Sequence, residues 1–316
     1  MLLNIIFLII GFIILIKGAD LFVDGASGIA GNFKVSKVLI GLTIVAFGTS
    51  APEFAVSVKS LLINSGDMVL GNVIGSNILN ILLILGISAL VHPLNVKNNT
   101  VKKELPITLM ITCAFAVLLS DNLFAGNIVN SFPRGDGLVL LLFFGVFMYY
   151  LISMMRKKVD DSEDNALPSL KKSVILTIVG LIGIVLGSNF VVDSASGLAK
   201  IIGISERMIS LTIVAIGTSL PELVTSVTAT KKGEYDIAIG NVVGSNIFNI
   251  GVVIGIPIAL IGGIVSINFS YIDITIMIVS ALLLFLFSLN DHKISKKEGT
   301  IFLIIFVIYY SYVIIG

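Results

Sequence analysis

The chain has 316 residues, of which 56% are hydrophobic and only 12% are charged. An ordinary soluble domain is roughly one quarter charged, so this composition excludes a soluble protein. The formal net charge of +1 shows no basic excess, and nothing in the sequence favours nucleic acid as a partner. The apolar residues instead form blocks of about twenty, which is typical of an integral membrane protein surrounded by lipid.

These apolar blocks predict ten membrane-spanning helices. In chain order they cover residues 2–26, 36–62, 67–91, 104–121, 134–155, 172–199, 206–230, 236–262, 269–289 and 299–315. We interpret the first block as a span and not as a signal peptide, because no A-x-A cleavage pattern follows it. The hydrophilic, acidic segment 156–172 is typical of a linker. We therefore expect five helices in 1–155 and five more in 173–316.

The positive charges predict how the chain is oriented in the membrane. Connections on one side of the predicted spans carry 15 Lys or Arg, and connections on the other side carry 4. Loops rich in Lys and Arg stay in the cytoplasm, so both termini are expected outside and the linker 156–172 inside. The chain is then a multi-pass protein of the cell membrane.

An internal repeat decides the predicted architecture. At an offset of 169 residues, Gly41–Ser60 matches Ser210–Ala229 at 12 of 20 positions, and Gly71–Ile81 matches Gly240–Ile250 at 9 of 11. Because each copy holds an odd number of spans, the second copy lies upside down in the membrane. The expected fold is an all-α integral membrane protein with ten transmembrane helices in two inverted-topology repeats of five. Such repeats are typical of transporters that work by alternating access.

Each repeat contains one Glu within a predicted span, Glu53 and Glu222. An ionised residue at the centre of a span costs about 2.5–3.5 kcal/mol and needs a partner. With no Lys or Arg close to either Glu, that partner is more simply a mobile cation than a fixed one. A proline precedes each Glu, at Pro52 and Pro221, and should break predicted helices 2 and 7.

Broken backbone at membrane depth is tolerated where it lines a cavity, and it leaves carbonyl oxygens available as ligands. Hydroxyl and amide side chains stand three or four residues apart around both breaks and in the following spans. Neither thiols nor imidazoles accompany them. A set made of oxygens alone suits a hard cation, Ca²⁺ before Mg²⁺, because Ca²⁺ accepts six to eight flexible oxygen ligands.

Other polar and small residues of the repeat have simpler structural interpretations. Four further asparagines are expected to bond neighbouring helices rather than ions. They are Asn72, Asn77, Asn241 and Asn246. Four glycines in small-xxx-small spacing are expected to allow close helix packing. They are Gly71, Gly75, Gly240 and Gly244.

The paired motifs GTSAPE and GTSLPE, followed by GNVIGSNILN and GNVVGSNIFN, resemble the two α-repeats of sodium/calcium exchangers in the calcium/cation antiporter superfamily. The resemblance implies that both Glu are shared Ca²⁺ and Na⁺ ligands, that Thr and Ala contribute mainly backbone carbonyls, and that Ser and Asn line flanking Na⁺ sites. The implied ligand set is Ala46, Thr49, Ser50, Glu53, Ser76 and Asn80 with Ala215, Thr218, Ser219, Glu222, Ser245 and Asn249.

The resemblance also implies the activity, which is exchange of Na⁺ for Ca²⁺ without an enzymatic reaction or a cofactor. Potassium-dependent relatives carry aspartate where Asn249 stands, which counts against potassium coupling. Two alternatives stay open at this point: a Ca²⁺/H⁺ antiporter that uses the same carboxylates, and an intramembrane hydrolase that uses paired acids. A channel is a third alternative, which inverted repeats around a central site favour less. The sequence indicates no protein partner, and a monomer is compatible with it.

Overall fold

The computed structural model describes residues 1–120, 130–156, 168–203, 215–267, 270–289 and 291–315. The described part is mainly helical. Its helices are α1 Leu2–Phe33, α2 Lys37–Thr49, α3 Ala51–Leu62, α4 Gly66–Val91, α5 Leu105–Leu118, α6 Arg134–Met155, α7 Leu170–Ile201, α8 Ala215–Thr218, α9 Leu220–Lys231, α10 Tyr235–Leu260, α11 Tyr271–Leu289 and α12 Lys296–Ile315. Its strands are β1 Leu94–Asn95, β2 Asn130–Phe132, β3 Ile264–Ile267 and β4 Lys293–Ile294.

Within the described ranges, seven helices are long and apolar enough to cross a membrane: α1, α4, α6, α7, α10, α11 and α12. The bent pair α2 and α3 makes an eighth if it counts as one span. Predicted span 104–121 contains α5, which a π-helical segment at Thr100–Glu104 directly precedes, and this helix is not among the seven. Predicted span 206–230 lies partly in 204–214, outside the described residues. The number of ten spans therefore stays a prediction.

For the predicted spans that lie within the described residues, helix boundaries agree to within a few residues except at the first. The predicted span 134–155 coincides with α6, whereas α1 runs to Phe33 and not to 26. At 1.5 Å per residue its 32 residues reach about 48 Å, well beyond a hydrocarbon core of about 30 Å. The prediction was wrong there because Ser27, Gly28, Gly31 and Asn32 interrupt the apolar signal without ending the helix.

Helices α1 and α7 pack closely because glycines face the backbone of the partner helix. A Cβ added at Gly187 would lie 2.5 Å from the Leu15 nitrogen, and one added at Gly18 would lie 2.7 Å from the Ile184 nitrogen. Both contacts are with backbone atoms, which cannot move without shifting a helix. Glycine is therefore required at these crossing points.

The close packing expected of the repeat glycines is confirmed in the second copy. A Cβ at Gly240 would lie 2.8 Å from the Val38 carbonyl oxygen, and one at Gly244 would lie 2.7 Å from the Ala46 Cβ. Helix α10 thus packs directly on α2. At Gly71 and Gly75 no described atom lies within 4 Å of an added Cβ, so close packing is not observed there among the described residues.

Two short antiparallel strand pairs join the first half of the chain to the second. In one, Leu94 of β1 pairs with Ile294 of β4. In the other, Phe132 of β2 pairs with Ile264 of β3, with a shift in register. These backbone pairings connect loops that follow α4 and α10 with segments that precede α12 and α6. They hold the outer helices against the central pair, α4 and α10.

Candidate ion-binding site

A helix is interrupted at two corresponding positions of the repeat. Ser50 (φ −84°, ψ 5°) separates α2 from α3, and Ser219 (φ −89°, ψ 5°) separates α8 from α9. Helices α2 and α3 form an angle of 45°, as expected from Pro52. Proline is tolerated in the first turn of a helix, where its missing N–H has no intrahelical acceptor. Each break therefore ends one helix and starts another.

Glu53 and Glu222 lie in the first turns of the new helices, α3 and α9. Each side chain is only 1% exposed. The ion pairs in the described part of the chain all involve other acids. The positive end of a helix dipole favours a carboxylate at this position but does not neutralise it. Two buried carboxylates therefore lack a fixed counter-charge among the described residues.

Hydroxyl groups reach these carboxylates from the opposite half of the chain. Ser50 Oγ donates to Glu222 Oε1 at 3.0 Å, and Ser219 Oγ lies 3.5 Å from Glu53 Oε1. Ser245 Oγ is a second donor to Glu222 Oε1, at 3.5 Å, from α10. Ser219 also lies 3.4 Å from Ser76 Oγ of α4. The two breaks and the two central helices thus meet in one cluster.

The two threonines of the motifs lie in the same cluster. Thr49 is fully buried, and its hydroxyl donates to Asn241 Oδ1 at 3.0 Å. Thr49 also lies beside the Glu222 carboxylate, and Thr218 lies beside that of Glu53. The Thr49 hydroxyl thus has a protein acceptor, so this residue is better placed to offer its backbone carbonyl to a cation.

Backbone carbonyls at the breaks are only partly available. The Ala46 carbonyl accepts the Ser50 N–H at 3.0 Å, and the Thr49 hydroxyl lies 3.4 Å from the same oxygen. Pro221 cannot donate to the carbonyl four residues earlier, and Gly217 accepts instead from Ser188 Oγ at 3.1 Å. Ala215 begins α8, and its side chain lies outside the described part of the chain. Sequence reasoning missed Ser188, because nothing local to α7 signals a bond to another helix.

Four buried oxygens in the cluster accept no hydrogen bond from the described residues. They are Glu53 Oε2, Glu222 Oε2, Asn80 Oδ1 and Asn249 Oδ1. Each half of the repeat contributes one carboxylate oxygen and one amide oxygen. Burying an acceptor without a partner is costly. A cation coordinated by these oxygens would remove that cost.

The four remaining asparagines bond between helices, as the sequence predicts. Asn72 Nδ2 donates to the Glu53 carbonyl and to Ser57 Oγ, both at 3.0 Å. Asn241 occupies the equivalent place and donates to Ser226 Oγ at 2.9 Å. Asn77 and Asn246 bond across the two halves, each to the backbone carbonyl of the other. These amides hold the helices that carry the acids.

The chemistry of this cluster suits a hard cation. No group of three or more His, Cys, Asp and Glu side chains with metal-binding geometry occurs in the described ranges. Two carboxylates and several neutral oxygens are therefore what the cluster offers. Carboxylate, amide, hydroxyl and carbonyl oxygens are the usual ligands of Ca²⁺, whereas soft or borderline metals prefer thiols and imidazoles.

Comparison with known proteins gives a consistent result over nearly the whole chain. The family described as "Sodium/calcium exchanger protein" matches residues 3–153 and 172–315. The chain is 38% identical to the "Putative antiporter CaxA" of Alkalimonas amylolytica, over 98% of both chains. It is 30% identical to the "Sodium/calcium exchanger MaX1" of Methanosarcina acetivorans, over 96% of both.

A solved structure extends the similarity to the fold. The structure of the sodium-calcium exchanger NCX_Mj soaked with 10 mM Na⁺ and zero Ca²⁺ superposes with a TM-score of 0.84, at 34% identity and over 98% of both chains. Sequence and fold agree over nearly the full length of these relatives. The chain therefore belongs to the sodium/calcium exchanger family, a family of multi-pass membrane antiporters for cations.

Proposed function

We propose that this antiporter exchanges Na⁺ for Ca²⁺ at one central site that contains Glu53 and Glu222. The observation that carries the proposal is the set of four buried oxygens without a described hydrogen-bond partner, two carboxylate and two amide. They are contributed in pairs related by the 169-residue repeat. The remaining proposed ligands are the hydroxyls and carbonyls of Ala46, Thr49, Ser50, Ser76, Ala215, Thr218, Ser219 and Ser245.

The charge of the site explains why transport would be an exchange. Two ionised carboxylates give the site a charge near −2. One Ca²⁺ neutralises that charge, and several Na⁺ ions can do so with help from neutral oxygens. The two loads compete for Glu53 and Glu222, so they exclude one another. Without bound ions the site keeps its buried negative charge, and this charge opposes the change between inward- and outward-facing states.

The architecture that we propose for this cycle is the ten-helix inverted repeat. Residues 1–155 form one five-helix unit, 156–172 the cytoplasmic linker, and 173–316 the second unit in the opposite orientation. Bonds between the halves support the symmetry, since Asn77 and Asn246, 169 residues apart, bond to one another's backbone. Two nearly equivalent halves can exchange their inward and outward roles around a shared site. Both termini would lie outside the cell.

Transport in proteoliposomes tests the proposal directly. Purified protein is reconstituted in vesicles, and uptake of radiolabelled Ca²⁺ is measured with outward Na⁺, K⁺ or H⁺ gradients imposed separately. We expect uptake only with the Na⁺ gradient. Uptake driven by the H⁺ gradient alone would show a Ca²⁺/H⁺ antiporter and contradict the proposal.

Substitutions of the acids test the site. We expect Glu53→Gln and Glu222→Gln each to abolish Na⁺-driven uptake, because Gln removes the charge and one oxygen ligand. Glu298→Gln is the matched control, since Glu298 Oε2 only accepts the Ser295 N–H and Gln can do the same. Normal uptake by either site variant would remove that Glu from the proposed site.

A further inference from the structure

We propose that Asn77 and Asn246 are positioning residues, each of which turns the amide oxygen of a ligand asparagine in the opposite half toward the ion. Asn246 would orient Asn80, and Asn77 would orient Asn249. The inference rests on the proposed function, because it concerns how the same site is held. It assigns the central asparagines a role in ion affinity beyond helix packing.

Hydrogen bonds between α4 and α10 connect the four asparagines in the order Asn80, Asn246, Asn77, Asn249. Asn80 Nδ2 donates to Asn246 Oδ1 at 2.9 Å, and Asn249 Nδ2 donates to Asn77 Oδ1 at 3.1 Å. Each ligand asparagine is thus bonded to the helix of the other half and not to its own. With Nδ2 engaged in this way, Oδ1 of Asn80 and Oδ1 of Asn249 are the two buried amide oxygens that lack a described partner.

The positioning asparagines are themselves held at both ends. Asn77 Nδ2 donates to the Asn246 carbonyl at 3.3 Å, and Asn246 Nδ2 donates to the Asn77 carbonyl at the same distance. Both side chains are 2% exposed, so water does not offer them an alternative partner. Turning either amide over would place two N–H donors against each other and would break its bond to the backbone. Each is therefore fixed in one orientation.

Orientation matters because the two ends of an amide differ chemically. Oδ1 has lone pairs and can bind a cation, whereas Nδ2 carries two protons and cannot. If Asn80 turned over, it would present N–H groups to the ion and lose an oxygen ligand. Groups that orient a metal ligand commonly contribute 10- to 100-fold to affinity. Asn77 and Asn246 are placed to do this without touching the ion.

A double-mutant cycle separates this role from a general structural one. The readout is the concentration of Ca²⁺ or Na⁺ that raises the melting temperature of purified protein by a fixed amount, which increases in proportion as affinity falls. We expect Asn246→Ala to raise that concentration about tenfold in the wild-type background and to add nothing in Asn80→Ala, since the oriented group is then gone. Asn77→Ala should behave likewise with Asn249→Ala.

Same-helix combinations and Asn72 supply the controls. Asn246→Ala should still weaken binding in Asn249→Ala, because Asn246 acts on Asn80. Asn72 bonds to α3 and contacts neither ligand amide, so Asn72→Ala should combine additively with Asn80→Ala. The two crossed cycles, Asn246→Ala with Asn80→Ala and Asn77→Ala with Asn249→Ala, are independent. If Asn246→Ala does not fold, the second cycle alone tests the positioning role.

The outcomes keep this inference distinct from the proposed function. Additive effects in both crossed cycles, or unchanged ion concentrations for the same rise in melting temperature in Asn246→Ala and Asn77→Ala, would overturn the positioning role even if the protein exchanges Na⁺ for Ca²⁺. Crossed coupling together with Ca²⁺ uptake that no Na⁺ gradient drives would support the positioning role and reject the proposed exchange. Wild-type protein that neither ion stabilises would contradict both.

Discussion

The Ser50 hydroxyl donates to Oε1 of Glu222 at 3.0 Å, although 172 residues separate the two in the chain. Ser50 stands only three residues before Glu53 of its own half, yet it bonds to the carboxylate of the other half. Each acid is therefore supported by the repeat to which it does not belong. A substitution in one half should consequently change how the carboxylate of the other half binds an ion.

Removing the Ser50 hydroxyl tests this crossed support. We expect Ser50→Ala to weaken Ca²⁺ binding by about 1.5 kcal/mol, or about tenfold, because a hydrogen bond to a charged group is lost. The measurement is the Ca²⁺ concentration for half-maximal Na⁺-driven uptake. Ser60→Ala is the control, since Ser60 is equally buried but lies ten residues further on, near the end of α3. Equal effects of the two variants would contradict the prediction.

Pro221 is predicted to keep the second break open. Pro221→Ala restores an N–H that can donate to the Gly217 carbonyl, now bonded to Ser188 Oγ. We expect the helix to continue through Ser219 and Na⁺-driven uptake to fall at least about tenfold, with the protein still folded by thermal melting. Pro133→Ala is the control, because Pro133 is the N-cap of α6 and follows β2, so no helical carbonyl awaits its N–H. Unchanged uptake by Pro221→Ala would show that the break does not depend on proline.

The crossing of α1 and α7 is predicted to tolerate no side chain at Gly187. A Cβ there would lie 2.5 Å from the Leu15 nitrogen, so Gly187→Ala forces two helices apart and should cost about 1–3 kcal/mol of stability. Gly145→Ala in α6 meets no described atom within 4 Å. It should be neutral or stabilising by up to about 1 kcal/mol. Thermal melting of both variants decides, and a Gly187→Ala protein as stable as Gly145→Ala would disprove the contact.

Tyr150 is predicted to stabilise a buried acid outside the central site. Its hydroxyl donates to Glu104 Oε1, and Glu104 is fully buried. Tyr150→Phe removes this donor and should lower the free energy of unfolding by about 1–3 kcal/mol. The adjacent Tyr149 is 76% exposed. Tyr149→Phe should have little effect, and equal losses in the two variants would argue against the bond.

Much of this fold can be predicted from the chain because the signals are local. Hydrophobic blocks of spanning length locate α4, α6 and α10 to within a few residues. Proline sterics place the break before Glu53, since a missing N–H acts on the residues next to it. The end of α1 is less predictable, because Gly28, Gly31 and Asn32 interrupt the apolar signal without ending the helix.

The site, too, can be predicted only in part from the sequence. The residue types, their repeat at 169 positions and the lack of a nearby basic residue already indicate two acids that need a cation. Which polar group bonds to which could not be predicted: Thr49 with Asn241, Ser188 with the Gly217 carbonyl, and Tyr150 with Glu104. The partners of each pair lie on different helices, and no local pattern records how those helices are packed.

The sequence by itself therefore determined a membrane protein with a duplicated, broken-helix motif and a pair of acids without a fixed counter-charge. These properties depend on composition, spacing and the backbone chemistry of proline. Only the tertiary structure decided that each acid and each ligand asparagine is held by the opposite half. The physical reason is that such hydrogen bonds require atoms within about 3 Å, and only the packing of helices from the two halves brings residues so far apart in the chain to that distance.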